Sequence, residues 1–493
     1  MKYVSVEEAG KKFNLSARSI RNYCALGRIP GAVLSGKTWL IPENANKPER
    51  INKIEDIYLE NSKYGNDLIS FLNESPVSYF AIDNIKKLLI KNGYKEIKEN
   101  KKYTFSCGDK VFVIRNDTTL LAFNIGKNIN SENANFHIVA SHADSPCFKL
   151  KPECDGKTDL YKKVNVAPYG GLIAPSWFDR PLGIAGRVII NKENTITSEL
   201  INLSDVTVMI PNVCIHFNRN INSGYEYNMA SDLQPFFSSD NEEASIYKAI
   251  AKRLKIDTDN IVNFDLYTYN KESAILWGER NEFISSARLD DLECVYTSSV
   301  AFVSSENEES INVLYITDNE EVGSLSRQGA DSDFLRSTLK RLCLNLNVEY
   351  EVAIANSFLV SADNAHAVHP NKPQLTDSDN KAYMNKGIAI KFNAAQSYTS
   401  DAISSAIFQK ICQNAKVPFQ FFTNRSDMRG GSTLGNLLLS QVSMMAVDVG
   451  LPQLAMHSAY ETAGTLDIKY AIKAFEEFYK SKIDIEENTY NIR

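Results

Sequence analysis

Acidic and imidazole side chains lying just past apolar runs are the groups in this chain best placed to do chemistry. In I-N-V-L-Y-I-T-D-N-E-E-V-G-S, residues 311–324, seven mostly apolar, β-favouring residues give way to Asp318, Glu320, Glu321 and Gly323. Such a run, bounded by polar residues and glycine, is predicted to be a buried strand. Carboxylates beyond the end of a buried strand sit where open α/β sheets place their ligands. In an extended segment neighbouring side chains point opposite ways, so one glutamate is expected on a metal and the other on water. Alone, the pair would pass for a solvated acidic turn.

Other stretches repeat the arrangement. F-H-I-V-A opens into S-H-A-D-S-P, which puts His142 and Asp144 two apart and on one side of an extended end. A carboxylate so placed can hold the imidazole tautomer while the other ring nitrogen meets a metal. F-I-S-S-A-R-L-D-D-L sets Asp290 at the head of a helix. V-E-Y-E-V-A-I-A-N-S-F-L-V-S-A-D-N carries Asp363 beyond a strand-like stretch, and M-M-A-V-D-V-G-L-P-Q-L-A-M-H carries His457 past another. Taken singly, Asp363 and His457 would read as loop residues with satisfied hydrogen bonds. Together, His142, Asp290, Glu321, Asp363 and His457 form an all-nitrogen and oxygen donor set that suits zinc, manganese or cobalt rather than a thiolate site. Five donors exceed the need of one tetrahedral ion and suffice for two if a carboxylate bridges. Ions paired in this way lie about 3.5–4 Å apart and clamp a shared hydroxide for attack on a carbonyl or phosphoryl group. Glu320 would be left to move the proton.

The elements that must position these groups follow from periodicity. Residues 66–99 read as helix, turn, helix, with Leu68, Phe71 and Leu72 on one stripe and Ala81, Ile85, Leu88 and Leu89 on another. Residues 101–126 alternate like a small antiparallel meander. Residues 147–284, rich in short β-like runs and glycine turns, read as an inserted β-rich domain, because site-like residues resume only after it. Within the insert His216 falls in a polar loop. A final amphipathic helix is expected over about 468–482.

The chain has 493 residues, a hydrophobic content of 43% and a net charge of −6, a composition that fits a soluble globular protein of two or three domains and argues against a nucleic-acid coat. The charge is uneven: residues 1–50 hold nine Lys/Arg and four Glu, a balance of +5, leaving −11 on the remainder. Eight cysteines without a C-x-x-C pair suit reduced thiols. The amino terminus lacks the apolar core of a signal peptide, and no run of about 18 apolar residues could span a membrane. A cytoplasmic location is expected.

Residues 1–45 differ in kind from the rest. Ser5 and Glu8 form a capping box ahead of the stripe Val6, Ala9 and Phe13, and Ser16 can cap a second helix. A hairpin follows with Ser35 and Gly36 at its turn. The order resembles an excisionase or MerR-like winged helix-turn-helix, which implies Arg18, Arg21 and Asn22 facing DNA, with Arg28 and Lys37 on phosphates. A docking module with a solvated basic face is the alternative, and one such module makes few phosphate contacts. Residues 46–62, with prolines and charges, are expected to be a linker.

From about Asp67 onward the chain resembles the aspartyl aminopeptidase family of dinuclear-zinc metallopeptidases. The segments that carry this include F-L-N-E-S-P-V-S-Y-F-A-I, S-H-A-D-S-P, W-F-D-R-P-L-G-I-A-G-R-V, I-H-F-N-R-N-I-N-S-G-Y-E-Y-N, R-L-D-D-L, D-N-E-E-V-G-S, S-A-D-N-A-H-A-V-H-P-N, R-S-D-M-R-G-G-S-T-L-G and M-H-S-A-Y-E-T. The resemblance implies an α/β/α sandwich in residues 63–146 and 285–493, with 147–284 as an inserted dimerisation or lid domain. It implies two divalent ions, zinc above manganese or cobalt, with His142 and Asp363 on one, Glu321 and His457 on the other, and Asp290 bridging. Glu320 would be the general base and Asp144 the orienter of His142. His216 would reach a neighbouring subunit's active site, and Lys391, Tyr398 and the loop from Arg425 would line the substrate side. A dodecamer built from dimers and acting on peptides is also implied. Asn319 and Asp291 depart from residues common in that family, and Arg429 leaves an acidic or a neutral first residue open. Two other readings share parts of this pattern: a DNA-binding regulator on a peptidase-like scaffold, and a two-metal hydrolase of another amide or ester.

Overall fold

The computed structural model describes residues 2–25, 29, 31–35, 38–47, 53–239, 241–428, 430–486 and 489–493. Arg28, Lys37 and Arg429 lie outside the described residues, as does the side chain of Asn22. The chain divides into two units, Met1–Leu59 and Glu60–Arg493.

In the first unit Ser5 caps the helix Val6–Phe13: Glu8 N donates to Ser5 Oγ at 3.2 Å, and Ser5 N donates to Glu8 Oε2 at 2.8 Å. This reciprocal pair satisfies two donors that a helix start leaves open. Asn14, at φ 55°, ends the helix in the left-handed region. A second helix, Ala17–Ala25, follows with Ser16 Oγ accepting from Ser19 N at 3.1 Å. Strands Tyr3–Val4, Thr38–Pro42 and Val33–Ser35 form a small antiparallel sheet. Ser35 pairs with Thr38, which closes the hairpin where the sequence places its turn, and Gly36 lies outside the described residues. Val6, Ala9, Phe13, Ile20, Tyr23, Cys24, Ile29 and Ile41 are the core of this unit.

Of the linker expected at 46–62, residues 48–52 lie outside the described residues, and 53–62 belong to a helix that runs over Lys53–Glu74. The next helix is Ser78–Lys91.

At the centre of the second unit is a nine-stranded sheet. Its spatial order is Phe419–Thr423, Ile388–Phe392, Met445–Gly450, Phe358–Ala362, Phe136–His142, Ile311–Thr317, Thr119–Ile125, Lys110–Arg115 and Lys95–Ile97. The third to sixth of these run parallel. Thr119–Ile125 and Lys110–Arg115 are antiparallel, as the alternation suggests, but they extend this sheet and do not stand apart. Residues of the middle strands are buried on both faces, the signature of a sheet covered by helices twice. On one face Val139, Leu314, Ile316 and Val360 pack with residues of the helices Leu289–Val303, Ala402–Ala415 and Thr465–Lys480. On the other, Ile138, Ala140, Val313 and Tyr315 pack with residues of Phe334–Leu346 and Leu434–Gln441. The result is an α/β/α sandwich. Tyr350–Ala355, read from sequence as strand-like, is a short helix leading into the strand Phe358–Ala362.

Residues 147–284 contribute a six-stranded antiparallel sheet in the order Thr195–Asn202, Leu182–Lys192, Ile261–Asn270, Cys147–Thr158, Tyr161–Tyr169 and Phe236–Ser239. Phe148, Trp177, Ile184 and Leu266 lie in its core. It is tied to the rest of the unit. Arg187 Nη2 donates to Asp265 Oδ2 at 3.0 Å while Arg187 Nη1 reaches Asp117 Oδ2 at 3.2 Å, and Tyr79 packs with Ala185. Among the described residues no helix is long and apolar enough to cross a membrane.

Candidate active site

Four adjacent parallel strands end at one edge of the sheet, and the chain beyond them carries the site. His142 is the last residue of Phe136–His142, Asp363 follows Phe358–Ala362, and Asp318 to Glu321 follow Ile311–Thr317. His457 comes after Met445–Gly450 by way of the short strand Pro452–Leu454. Asp290 enters from the first, non-helical turn of Leu289–Val303.

Beside a group made of His142, Glu320 and Glu321, two triads form there: His142, Asp290 and Asp363, and Asp290, Glu321 and His457. Within each, one ligand atom per residue lies within 4.8 Å of the others. Asp290 belongs to both. Its Oδ1 is 3.7 Å from His142 Nε2 and its Oδ2 is 3.5 Å from His457 Nε2, while Glu321 Oε2 is 3.4 Å from His457 Nε2. These separations exceed those of direct hydrogen bonds and leave room between the groups. Three of the buried oxygens here, Asp290 Oδ1, Asp291 Oδ1 and Glu321 Oε1, have no hydrogen-bond partner among the described residues. Orphaned carboxylate oxygens, clustered with two imidazole nitrogens, fit hard or borderline divalent cations.

Both imidazoles are held from behind. His142 Nδ1 lies 3.1 Å from the backbone oxygen of Asp144, and His457 Nδ1 lies 2.9 Å from Gly171 O. Donation from each Nδ1 leaves each Nε2 as the acceptor facing Asp290.

The Glu320–Glu321 segment is not extended, contrary to expectation. Glu320–Val322 makes one 3₁₀ turn between Asn319 at φ 63° and Gly323 at φ 96°. The Asp144 carboxylate organises that turn: Glu320 N donates to its Oδ1 and Glu321 N to its Oδ2, both at 3.1 Å. Its Oδ1 is 3.5 Å from His142 Nδ1, more distant than the backbone carbonyl. The inserted sheet supplies a further contact, since Tyr169 OH donates to Asp144 Oδ2 at 2.7 Å and accepts from Asn319 Nδ2 at 2.8 Å.

The electrostatics follow from burial and crowding. Burial pushes the Glu320 carboxyl up to about 7, with Asp363, Asp144 and Asp290 adding to the rise against His142. Burial likewise raises Glu321 and Asp363, and Lys391 opposes the rise at Asp363. Burial would depress His457, but the Asp290 carboxylate, the Gly171 carbonyl and the Glu461 charge together move it up to about 9. A cavity this rich in carboxylates calls for cations.

The remaining residues singled out from sequence are placed differently. Lys391 is buried, donates to Asn364 O at 2.8 Å and lies 3.5 Å from Asp363 Oδ1. Tyr398 is also buried, with its ring 5.5 Å from Lys391 Nζ. Arg425 lines a cavity of about 1030 Å³ with Asn393, Gln396, Ser400 and Asn424, and its Nε donates to Asp427 Oδ1 at 2.6 Å. His216 stands in an exposed loop of the insert and joins neither triad. In the first unit Arg18 is exposed, and Arg21 pairs with Glu7 at 3.2 Å.

Tyr169, Glu461 and His366 were not singled out from sequence. Glu461 Oε1 accepts from His457 N at 2.8 Å and its Oε2 from Asp290 N at 3.1 Å. His366 keeps exposed surface three residues past Asp363, near enough to feel the charges of Lys391, Asp290 and His457. The doubled histidine in A-H-A-V-H-P was the available sign for it.

Comparison with known proteins agrees with this geometry. Residues 71–479 match the family described as Aminopeptidase I zinc metalloprotease (M18). "Probable M18 family aminopeptidase 2" of Clostridium novyi (strain NT) is 43% identical over 427 residues, covering 85% of this chain and 98% of that protein. "Aspartyl aminopeptidase 1" of Schizosaccharomyces pombe is 35% identical over 453 residues, 85% of this chain and 95% of its own length. Among solved structures, the S. cerevisiae mApe1 dodecamer is 26% identical with a TM-score of 0.73, covering 84% of this chain and 96% of that one. Sequence, fold and the paired acidic and imidazole triads converge: this chain belongs to the M18 family of zinc aminopeptidases.

Proposed function

We propose that this aminopeptidase releases the first residue of peptides at the two triads, with Glu320 as the general base. The supporting observation is Asp290, whose two oxygens each face a different histidine Nε2, as a bridging carboxylate must. His142 and Asp363 would hold one zinc ion and Glu321 and His457 the other. When bound, the two ions supply Lewis acidity toward the scissile carbonyl and the attacking water. Glu320 takes a proton from that water and returns it to the leaving amine. Asp144 holds the base in place through the Glu320 and Glu321 amides. Lys391 acts by fixing Asp363, and Tyr398 by packing under Lys391. Asn393, Gln396, Asn424 and Arg425 give the neighbouring cavity polar walls for the substrate's first side chains.

The test is release of free amino acids from Asp-, Glu- and Leu-initiated peptides by the wild type, the chelated protein and Glu320→Gln. A general base contributes roughly 10²–10⁴-fold, so Glu320→Gln should lose at least two orders of magnitude in kcat while keeping its zinc. Undiminished turnover would remove Glu320 from the mechanism. Preference among the three peptides decides between acidic and neutral specificity.

A dodecamer built from dimers is proposed on the likeness to mApe1, with His216 presented to a neighbouring copy. The exposure of Val213, Ile215 and Phe217 beside it supports this, and light scattering measures it. Unpaired cysteines throughout fit a reducing, cytoplasmic setting. For the first unit we propose a helix-turn-helix that binds DNA, supported by the exposed Arg18 next to Arg21 on one short helix. Binding of labelled duplex across a salt series, lost in Arg18→Ala, tests it.

A further inference from the structure

Glu461 is neither a proposed ligand nor a proposed base, yet it touches the machinery at two points far apart in sequence. It opens the strand Glu461–Gly464, where it lies opposite Ser286 in a regular antiparallel pair. Its side chain is buried and both oxygens are used: Oε1 accepts from His457 N at 2.8 Å and Oε2 from Asp290 N at 3.1 Å. Neither of those amides lies in regular structure. Asp290 has φ −80° and ψ 109° inside the non-helical start of its helix, and His457 sits at φ 69° in the left-handed region. Without Glu461, two buried N–H groups would lack partners, and two loops would lose their common reference point.

We infer that Glu461 is a positioning residue, a single carboxylate that sets the separation between Asp290 and His457 and so tunes the affinity of the Asp290–Glu321–His457 triad for its ion. The inference rests on the ligand assignments proposed above. The chain of contacts is short. Asp290 Oδ2 and His457 Nε2 are 3.5 Å apart, and a ligand pair must be held to within a few tenths of an ångström for tight binding. The backbones of both residues hang on one side chain that is itself fixed by a sheet. Glu461→Gln keeps the volume but replaces one acceptor with an amide NH₂, which would face one of the two backbone N–H groups and turn that loop away.

Zinc binding by chelator competition and the visible spectrum of the cobalt-substituted protein test this, with wild type, Glu461→Gln, Glu461→Ala and His457→Ala compared. For Glu461→Gln we expect at least one of the two zinc affinities to fall at least tenfold, the cobalt spectrum to change, and the melting temperature of the chelated protein to stay near wild type. Glu461→Ala should lose more. If Glu461→Ala does not fold, the isosteric variant decides alone. Unchanged affinities and spectrum in Glu461→Gln, beside weakened binding in His457→Ala, would overturn the inference and leave the ligand assignment standing. A lower melting temperature with unchanged affinities would show a merely structural role and overturn it as well. Two undiminished zinc sites in His457→Ala would overturn the ligand assignment, and this inference with it.

Discussion

Replacing Tyr169 by phenylalanine removes one oxygen and leaves the ring in place, which makes it a clean probe of how the inserted sheet supports catalysis. The hydroxyl donates to Asp144 Oδ2 at 2.7 Å and accepts from Asn319 Nδ2 at 2.8 Å. Asp144 is buried, and the same carboxylate receives the amides of Glu320 and Glu321. A hydrogen bond to a charged group contributes about 1.5–3 kcal/mol, and about 1.4 kcal/mol is a tenfold change in rate. If that stabilisation goes mainly into holding the Glu320 turn, kcat should fall roughly 10- to 100-fold. The cavity proposed for the substrate is lined by other residues, so KM should move less than twofold as an order-of-magnitude expectation. Steady-state kinetics on a peptide substrate, with zinc content measured on the same preparation, makes the comparison. A kcat within a factor of about two of wild type at full zinc occupancy would refute the view that Tyr169 steadies the base through Asp144.

Three more outcomes are expected. Gly170 has φ +74°, and an added Cβ would stand 3.1 Å from Glu321 Cβ and 3.4 Å from its Oε2. Gly170→Ala should therefore cost about 1–2 kcal/mol in backbone strain and weaken zinc binding, whereas at Gly171 an added Cβ meets the His457 ring at an ordinary 3.5 Å, so Gly171→Ala should do less by zinc titration. Burial holds the His137 imidazole down to about 4 against an ordinary 6.5. Between those values the unfolded chain binds the extra proton, so stability is lost as pH falls from about 6.5 toward 4, by about 3 kcal/mol in all; urea melts at pH 7.5 and 4.5 should show a smaller acid loss in His137→Phe. Chelation should abolish activity and lower the melting temperature, because ions bound only by the folded state stabilise it and their removal leaves crowded carboxylates; added zinc should restore both.

Much of the sheet was legible because its strands are short apolar runs closed by polar residues, as at Ile311–Thr317 and Phe136–His142. The residues past those ends were legible for the same reason: the sheet edge gathers whatever the chain places there. Where the reading failed, local pattern was ambiguous. Tyr350–Ala355 and Phe358–Ala362 together look like one apolar stretch, and only the packing of a helix against the sheet separates them. The helix from Lys53 hid among charges. Glu320 and Glu321 were expected to point opposite ways in an extended segment past the strand, whereas Asp144 draws both amides toward itself and winds the segment into a turn. Tyr169 and Glu461 carry no local signal, since their roles arise from backbone amides and carboxylates distant in sequence.

The insert at 147–284 separates two strands that lie side by side in the finished sheet, Phe136–His142 and Ile311–Thr317. During synthesis the first of these must wait until the whole insert has emerged before its neighbour arrives, and His457 comes later still. Both triads share Asp290, whose amide is held by Glu461, so neither can take its final geometry until the last of these residues has left the ribosome.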